Sequence, residues 1–320
     1  MTDKTNNIEV APYDPRWPKI FAFEAAIIKE ALGDNCIDIH HIGSTSVPGL
    51  VAKPKIDIIA VVKDPIKAIP NLEAIGLTYK GEYNILMHYG FSKRGDVDIN
   101  LHVYETGHPE IELNILFRDY LRKNLSARDE YAALKERLLQ DDSSFEKDKS
   151  SFRRYTLRKG DFIRKILKET GFSSLRVLKC TDSTEWSAAK NFRQKYFFDN
   201  VSISDPYTWT FDHPSHVHLI CYQGSEIIGY AHIQLWTEAR AAIRIIVLDQ
   251  KQRNQGLGRQ FLDCIEKWLK RQNYKSIHAE ASPEAVTFYK KLGYTSMPFN
   301  DPDSHESDPR DIPMGKMLCV

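Results

Sequence analysis

The sequence predicts an α+β protein built as two domains, and three observations carry that prediction. The chain has 320 residues, a length that favours two cores over one. Each half holds short apolar runs of strand length interleaved with stretches of helical periodicity. The two patterns meet at Thr170-Gly171-Phe172-Ser173-Ser174, a Gly/Ser stop after a helical run, and a new strand starts at Leu175. The expected domains are therefore 1–172 and 173–320.

In the first half, Pro18 to Leu32 reads as a helix and Cys36 to Ile42 as a strand, followed by the turn-rich Gly43-Ser44-Thr45-Ser46-Val47-Pro48-Gly49. Ile56 to Val62 is an apolar strand interrupted only by Asp57, and a helix follows near Pro65 to Ile75. Strands are expected near Ile85–Phe91, Val97–Tyr104 and Ile111–Leu116, then helix from Phe117 to Lys168. The second half offers strands at Leu175–Lys179, Val217–Cys221, Ile227–Leu235 and Ala242–Leu248. A helix at Gly258–Arg271 precedes a strand at Ser276–Ala281, a helix at Glu284–Leu292 and a last strand at Met314–Leu318. Leu257, Phe261, Ile265 and Trp268 recur at helical spacing and are expected in the core.

Composition narrows the function. Lys+Arg number 44 against 43 Asp+Glu, split 26 to 26 up to Phe172 and 18 to 17 beyond it. Neither half is basic, so no general attraction to nucleic acid or membrane is expected. The five cysteines are scattered without a C-x-x-C pair, which reads as reduced thiols. With no apolar signal core and no apolar run of membrane-spanning length, a cytoplasmic protein acting on small molecules or peptides is the expectation.

The most informative segment runs from the strand Ile243–Leu248 through Arg253-Asn254-Gln255-Gly256-Leu257-Gly258-Arg259 into a helix. Glycines at such a turn let the backbone approach an anion, the helix's first N–H groups point at it, and Arg253 and Arg259 add charge. After the strand 276–281 come Ser282-Pro283 and then Ala285-Val286-Thr287-Phe288-Tyr289-Lys290-Lys291-Leu292-Gly293-Tyr294.

Over Leu175 to Leu318 the sequence resembles the GNAT acetyltransferase family. Its R/Q-x-x-G-x-G/A signature is met by Arg253 to Gly258, and its A-x-x-F-Y-x-x-x-G-F/Y signature by Ala285, Phe288, Tyr289, Gly293 and Tyr294. The resemblance implies a GNAT acyltransferase fold that uses acetyl-CoA and an amine acceptor, small molecule or peptide. It places the cofactor against Val247, Leu248, Arg253–Arg259, Ser282 and Phe288. The family often carries Asn where this chain has Ser282 or Glu284. Tyr289 stands where the family carries its general acid. The base is open among Glu238, Glu280, His232 and a water chain. A regulatory protein that holds CoA without transferring acetyl is the competing reading. His216 and His218 share one face of a strand without a carboxylate or Cys partner at recognisable spacing, so a plain strand edge is expected there. The segment Asp301 to Asp311, with five carboxylates and one arginine, is expected beside the acceptor. It would be either a magnet for cationic amines or a solvated loop.

In the first half, Asp57 sits among Ile56, Ile58 and Ile59, and a carboxylate on so apolar a strand needs a partner, a metal or a ligand. With Asp98 and the Gly43-Ser44 turn it would suit a Mg²⁺–triphosphate site. The stretch His41 to Leu50, Lys53-Pro54 and Ile56-Asp57-Ile58, with Leu101-His102-Val103, Phe117 to Arg122 and Tyr131 to Lys135, resembles the GrpB family. This implies a nucleotidyltransferase-like mixed sheet with helices. It points to Gly43, Ser44, Thr45, Lys53, Asp57, Asp98, His102 and Arg118 as contacts for a nucleotide or phosphate ligand, with Mg²⁺ on Asp57 and Asp98. A working nucleotidyltransferase alternates two carboxylates on one strand, whereas here Asp57 lies between Lys55 and Ile59. Binding domain and catalyst both stay open. The basic stretch Lys147, Lys149, Arg153, Arg154, Arg158, Lys159, Arg164, Lys165 and Lys168 reads either as a solvated helical face or as a phosphate-facing rim.

Overall fold

Apolar residues spaced for two separate sheets dictate the architecture. A computed structural model of the chain describes residues 10–142, 159–199, 203–303 and 308–318. It divides into one unit comprising residues up to Tyr83 with His88–Ser174, and a second comprising Asn84–Met87 with Leu175 onward.

The first unit begins with α1 (Trp17–Leu32), which has proline in its first turn and buries Trp17, Ile28 and Leu32. Next come β1 (Cys36–Ile42), β2 (Lys55–Val62), α2 (Pro65–Ala74), β3 (Thr78–Gly81), β4 (Tyr89–Lys93) and β5 (Asp98–Glu105). The sheet order is β1-β2-β5-β4-β3, parallel between β2 and β5 and antiparallel elsewhere. Ile56 and Ile58 to Val62 are all buried, as a parallel strand covered on both faces requires. Three helices follow, α3 (Pro109–Lys123), α4 (Leu125–Asp142) and α5 (Gly160–Glu169).

Two expectations fail here. Ile111–Leu116 is not a strand but the first half of α3. The His108 side chain accepts from the Glu110 N–H, a proline occupies the first turn, and Glu110 and Glu112 favour the helix N-terminus. The strand expected at Ile85–Phe91 begins only at Tyr89. Asn84–Met87 belongs instead to the second unit, where Ile85 forms a β-bridge with Leu178 and Leu86 is buried in the core.

That second unit contains β6 (Leu175–Lys179), α6 (Ser183–Arg193), β7 (His216–Gln223), β8 (Glu226–Leu235) and β9 (Arg240–Leu248). It continues with α7 (Leu257–Arg271), β10 (Ser276–Ala281), α8 (Val286–Lys291), β11 (Thr295–Ser296) and β12 (Ile312–Met317). α6 opens with a full capping box, Asp182 and Glu185 each satisfying the other's backbone N–H. The seven strands run β11-β12-β10-β9-β8-β7-β6, parallel only between β9 and β10. α7 covers one face with Leu257, Phe261, Ile265 and Trp268, all buried as the periodicity predicts. Each such side chain contributes roughly 1.5–3 kcal/mol. Among the described residues, no helix is long and apolar enough to cross a membrane.

The opposite face holds a buried polar chain. Arg193, 1% exposed, donates from Nε and Nη2 to the Asp205 carboxylate and from Nη1 to Tyr230 Oη and His232 Nδ1. A guanidinium only donates, so His232 Nδ1 accepts and its proton lies on Nε2, which donates to His216 Nδ1 at 2.7 Å. Tyr230 passes its own proton to His218 Nδ1 at 2.6 Å, and His218 Nε2 donates to the Thr210 carbonyl. Burial pushes His218 down to about 4 and His232 well below its usual range, so both stay neutral. His216 and His218 are thus members of a buried network and not a strand edge. Among the described residues, no group of three His, Cys, Asp or Glu is placed to hold a metal.

Removing Asp205 should leave Arg193 as an uncompensated buried charge. Asp205→Ala is expected to cost about 3–5 kcal/mol, whereas Arg193→Met with Asp205→Ala should recover part of that loss. Denaturant unfolding of the single and double variants measures both. A single variant within ~0.5 kcal/mol of wild type would mean the pair is solvated.

Candidate functional site

The second unit's candidate site lies where two parallel strands part. β9 and β10 pair from Arg240 opposite Ser276 to Ile243 opposite Ala279, and there the ladder ends. β10 continues against β12 to Ala281, while β9 continues against β8 to Leu248. At the parting, His232 and Ile233 of β8 face Ile245 and Ile243 of β9, so Arg244 is an extra residue, a β-bulge. Ile245 and Val247 therefore face the α6 side, and Ile246 and Leu248 the α7 side. From Arg244 onward the β10-facing edge of β9 has no strand against it among the described residues.

The loop after Leu248 is held before it reaches α7. Arg253 donates from Nε to the Leu248 carbonyl, and its guanidinium lies over the Tyr196 ring. Asn254 and Gly256 both take left-handed backbone, φ +62° and +78°, and a Cβ on Gly256 would meet open space. Gly256 is the N-cap of α7 and supplies no side-chain hydrogen bond, so the first-turn N–H groups are left to solvent or an anion. Gly258 has another role. A Cβ there would lie 3.4 Å from Phe288 and 3.7 Å from Leu248, so the glycine seats the helix between a strand residue and α8. Arg253, Gln255 and Arg259 are exposed around this turn, and Arg259 faces Asp263 at 3.6 Å.

Tyr289 on α8 is 5% exposed, packs edge-on to Tyr294 and Phe288, and has no hydrogen-bond partner among the described residues. Burial pushes its hydroxyl up, which keeps it a proton donor at neutral pH. Glu280 lies at the parting end of β10, on the same side of the strand as His278. Exposed Ser282 follows it. Glu238 does not join them. It occupies the turn between β8 and β9 at φ +58°, 81% exposed beside Arg240, at the end of β9 opposite Leu248. His232 is committed to the buried chain described above.

The acidic segment is less free than its composition suggests. Arg244, displaced by the bulge, pairs with Asp301 at 2.6 Å and donates to Gln234, which in turn bonds Asp303. Trp236 and Phe299 flank the Arg244 guanidinium. Asp308 is held at about 2 by Arg310, and Glu306 lies outside the described residues. Two of the carboxylates expected to steer an amine are therefore spent on Arg244 and Gln234, contacts whose signal is a bulge that periodicity does not reveal.

In the first unit, the Gly43–Gly49 turn is braced by cations. Arg118 donates to the His41 carbonyl and Asp119, Arg122 to the Ser46 carbonyl, and Arg128 to the Pro48 carbonyl. Thr45 is buried, donates to the Lys55 carbonyl and accepts from His41, whose imidazole burial pushes down to about 4. Gly43 sits at φ +67°, where a Cβ would come 2.5 Å from Asp57, so only glycine fits. Ser44 alone turns its hydroxyl to a charged group, Lys135 Nζ at 2.6 Å.

The expected metal pair does not assemble. Asp57 accepts from Asn100 at 3.1 Å and lies opposite it in the ladder, while Asp98 lies opposite Lys55 and pairs with Arg94 at 2.8 Å. His102 turns its Nδ1 to His88 Nε2 at 2.9 Å. Lys53 stays within the field of Asp57, and burial pushes it down to about 8. Of the basic stretch, Lys159 joins this group, while Arg164 and Lys165 pair with Asp161 and Glu130 at the surface. Lys147, Lys149, Arg153, Arg154 and Arg158 lie outside the described residues. Lys135, which donates to Ser44, is the functional candidate that sequence reasoning missed, whereas Lys159 was already part of the expected phosphate-facing rim. Lys135 four residues after Tyr131 was the available signal, because that spacing stacks both on one helix face.

Similarity to known proteins falls on the two halves of the chain separately. Residues 7–169 match the family model described as GrpB protein, and residues 182–294 that of the acetyltransferase (GNAT) family. A protein of Halalkalibacterium halodurans, UPF0157 protein BH1888, is 45% identical over 137 residues, covering 42% of this chain and 70% of that protein. The crystal structure of conserved protein GrpB from Enterococcus faecalis is 34% identical, covering 51% of this chain and 96% of that one with a TM-score of 0.45. That of PaiA N-acetyltransferase from Thermoplasma acidophilum in complex with coenzyme A is 14% identical, covering 45% and 99%, with a TM-score of 0.34.

Proposed function

Because the chain belongs to the GrpB family through residues 7–169 and carries a GNAT-family acetyltransferase domain at residues 182–294, we propose that it transfers acetyl from acetyl-CoA to an amine. The acceptor is a small-molecule or peptide amine, and the GrpB half binds a nucleotide or another phosphate-bearing ligand. The observation that carries the transferase reading is the uncapped start of α7 behind the open, left-handed Gly256, set beside the parting of β9 and β10.

The residues fit CoA. The pyrophosphate takes the first-turn N–H groups of α7, with Arg253 and Arg259 at its rim and Gln255 exposed beside it. The thioester arm lies along the unpaired edge of β9 near Val247 and Leu248, where a backbone N–H stabilises the oxyanion formed on attack. An alkylamine has a pKa near ~10 and must shed a proton first. Glu280, at the same end of the parted strands, is the base candidate the geometry favours, directly or through water. Tyr289 delivers a proton to the departing thiolate. In the first half, Gly43 and Ser44 with Lys53 form the phosphate contact. Arg118 and Thr45 act by holding the turn.

Tyr289→Phe keeps the ring and removes only the donor. CoA affinity should hold while turnover falls by roughly 10- to 10⁴-fold, read from steady-state rates alongside calorimetry. Unchanged turnover would make the tyrosine a packing residue.

Gly258 offers a paired test. Gly258→Ala adds a methyl in ordinary contact with Phe288 and should bind CoA within a few-fold of wild type. Gly258→Glu puts a carboxylate at the anion end of α7 and should weaken CoA by about a hundredfold or more. Equal affinities in calorimetry would remove the cradle from this turn.

A further inference from the structure

The turn Ser44-Thr45-Ser46 carries three consecutive hydroxyls, and the fold treats one of them differently. Thr45 and Ser46 are buried, and each donates to a backbone carbonyl, Thr45 to that of Lys55 and Ser46 to that of Gly43. Ser44 is half-buried and meets an amine instead, Lys135 Nζ at 2.6 Å. That amine comes from α4 and belongs to a side chain 2% exposed. It also donates to the Val51 carbonyl at 2.8 Å and lies over the Tyr131 ring, 4.6 Å from its centroid.

An amine held between a carbonyl and a hydroxyl has one arrangement when neutral. The carbonyl only accepts, so an N–H goes to Val51, and the nitrogen lone pair is left facing the proton of Ser44 Oγ. Among the described residues, no carboxylate stands within ion-pair distance of Lys135 Nζ to keep it charged. Burial, then Lys159, pushes the amine down to about 7, with Lys53 adding to the shift and Asp57 opposing it. A partly exposed hydroxyl against a buried neutral amine is the setting in which a serine becomes a nucleophile.

We propose that Ser44 and Lys135 form a nucleophile–base pair that takes acyl groups from esters or thioesters. Ser44 Oγ bonds to the acyl carbon while its proton passes to Lys135 Nζ. The bond to the leaving group then breaks, and the Lys135 ammonium gives that proton to the departing alcohol or thiol. Water repeats the sequence on the Ser44 ester and releases a carboxylic acid. The committed hydroxyls of Thr45 and Ser46 hold the turn that presents Ser44. This activity does not depend on the phosphate reading of the same half, which uses Ser44 only as a hydrogen-bonding group.

The test treats the full-length protein with p-nitrophenyl acetate and, separately, with a fluorophosphonate, and locates the adducts by peptide mass spectrometry. Both reagents should mark Ser44, the second with loss of fluoride. Lys135 serves as base only when neutral, so the labelling rate should rise about tenfold from pH 6 to pH 8 and level off by pH 9. Lys135→Met should slow labelling by roughly a hundredfold or more, with an unchanged melting curve as the control for folding. Should that variant not fold, the wild-type pH profile decides: a rate that is flat, or that still climbs past pH 10, overturns the pair. Labelling by neither reagent, labelling only at other residues, or Ser44 labelling that a folded Lys135→Met leaves unchanged overturns it as well.

Discussion

The second unit turns on the place where β9 stops pairing with β10. A parallel pair shares one ladder of hydrogen bonds, and ending it after Ile243 and Ala279 leaves backbone groups inside a sheet without strand partners. Such groups need another partner, and in the proposed transferase an extended substrate arm takes the place of a strand there. The Arg244 bulge is the local device that makes the parting possible. It bends β9, restores the alternation of Ile245 to Leu248 between the two faces, and carries a guanidinium to Asp301. The glycine turn and α7 then start at the open end.

Much of this was legible in the sequence for a simple reason. Turn chemistry is local, so a glycine turn leading into a helix near Gly258 and Tyr289 on a short helix follow from a few neighbouring residues, while the left-handed N-cap at Gly256 is what the structure adds. Periodicity likewise placed Phe261, Ile265 and Trp268 in the core. What escaped depends on pairing between distant segments. Ile111 to Leu116 looks like a strand because Ile and Leu suit both states, and only the His108-Pro109 start decides for helix. The use of Asp301 and Asp303 was hidden by the bulge. Lys135 was hidden because its partner Ser44 is 91 residues away.

Buried charge is handled differently in the two halves. Around Arg193 the donors of the guanidinium, Tyr230, His218 and His232 each find an acceptor, and burial keeps His218 and His232 neutral, so that these hydrogen bonds run in a fixed direction. That arrangement fixes shape. Asp57 is set against the Gly43 turn instead, where it accepts from Asn100.

The four residues Asn84 to Met87 reach further than their number suggests. Ile85 and Leu178 are about 90 residues apart in sequence, yet Leu86 completes the apolar core that α7 covers. A polypeptide severed at the linker after Phe172 would thus separate a core from one of its own side chains. During synthesis that piece of core emerges long before the strands it packs on. The joined gene is in this sense more than two genes in series: neither reading frame, expressed alone, encodes every residue of the acetyltransferase core.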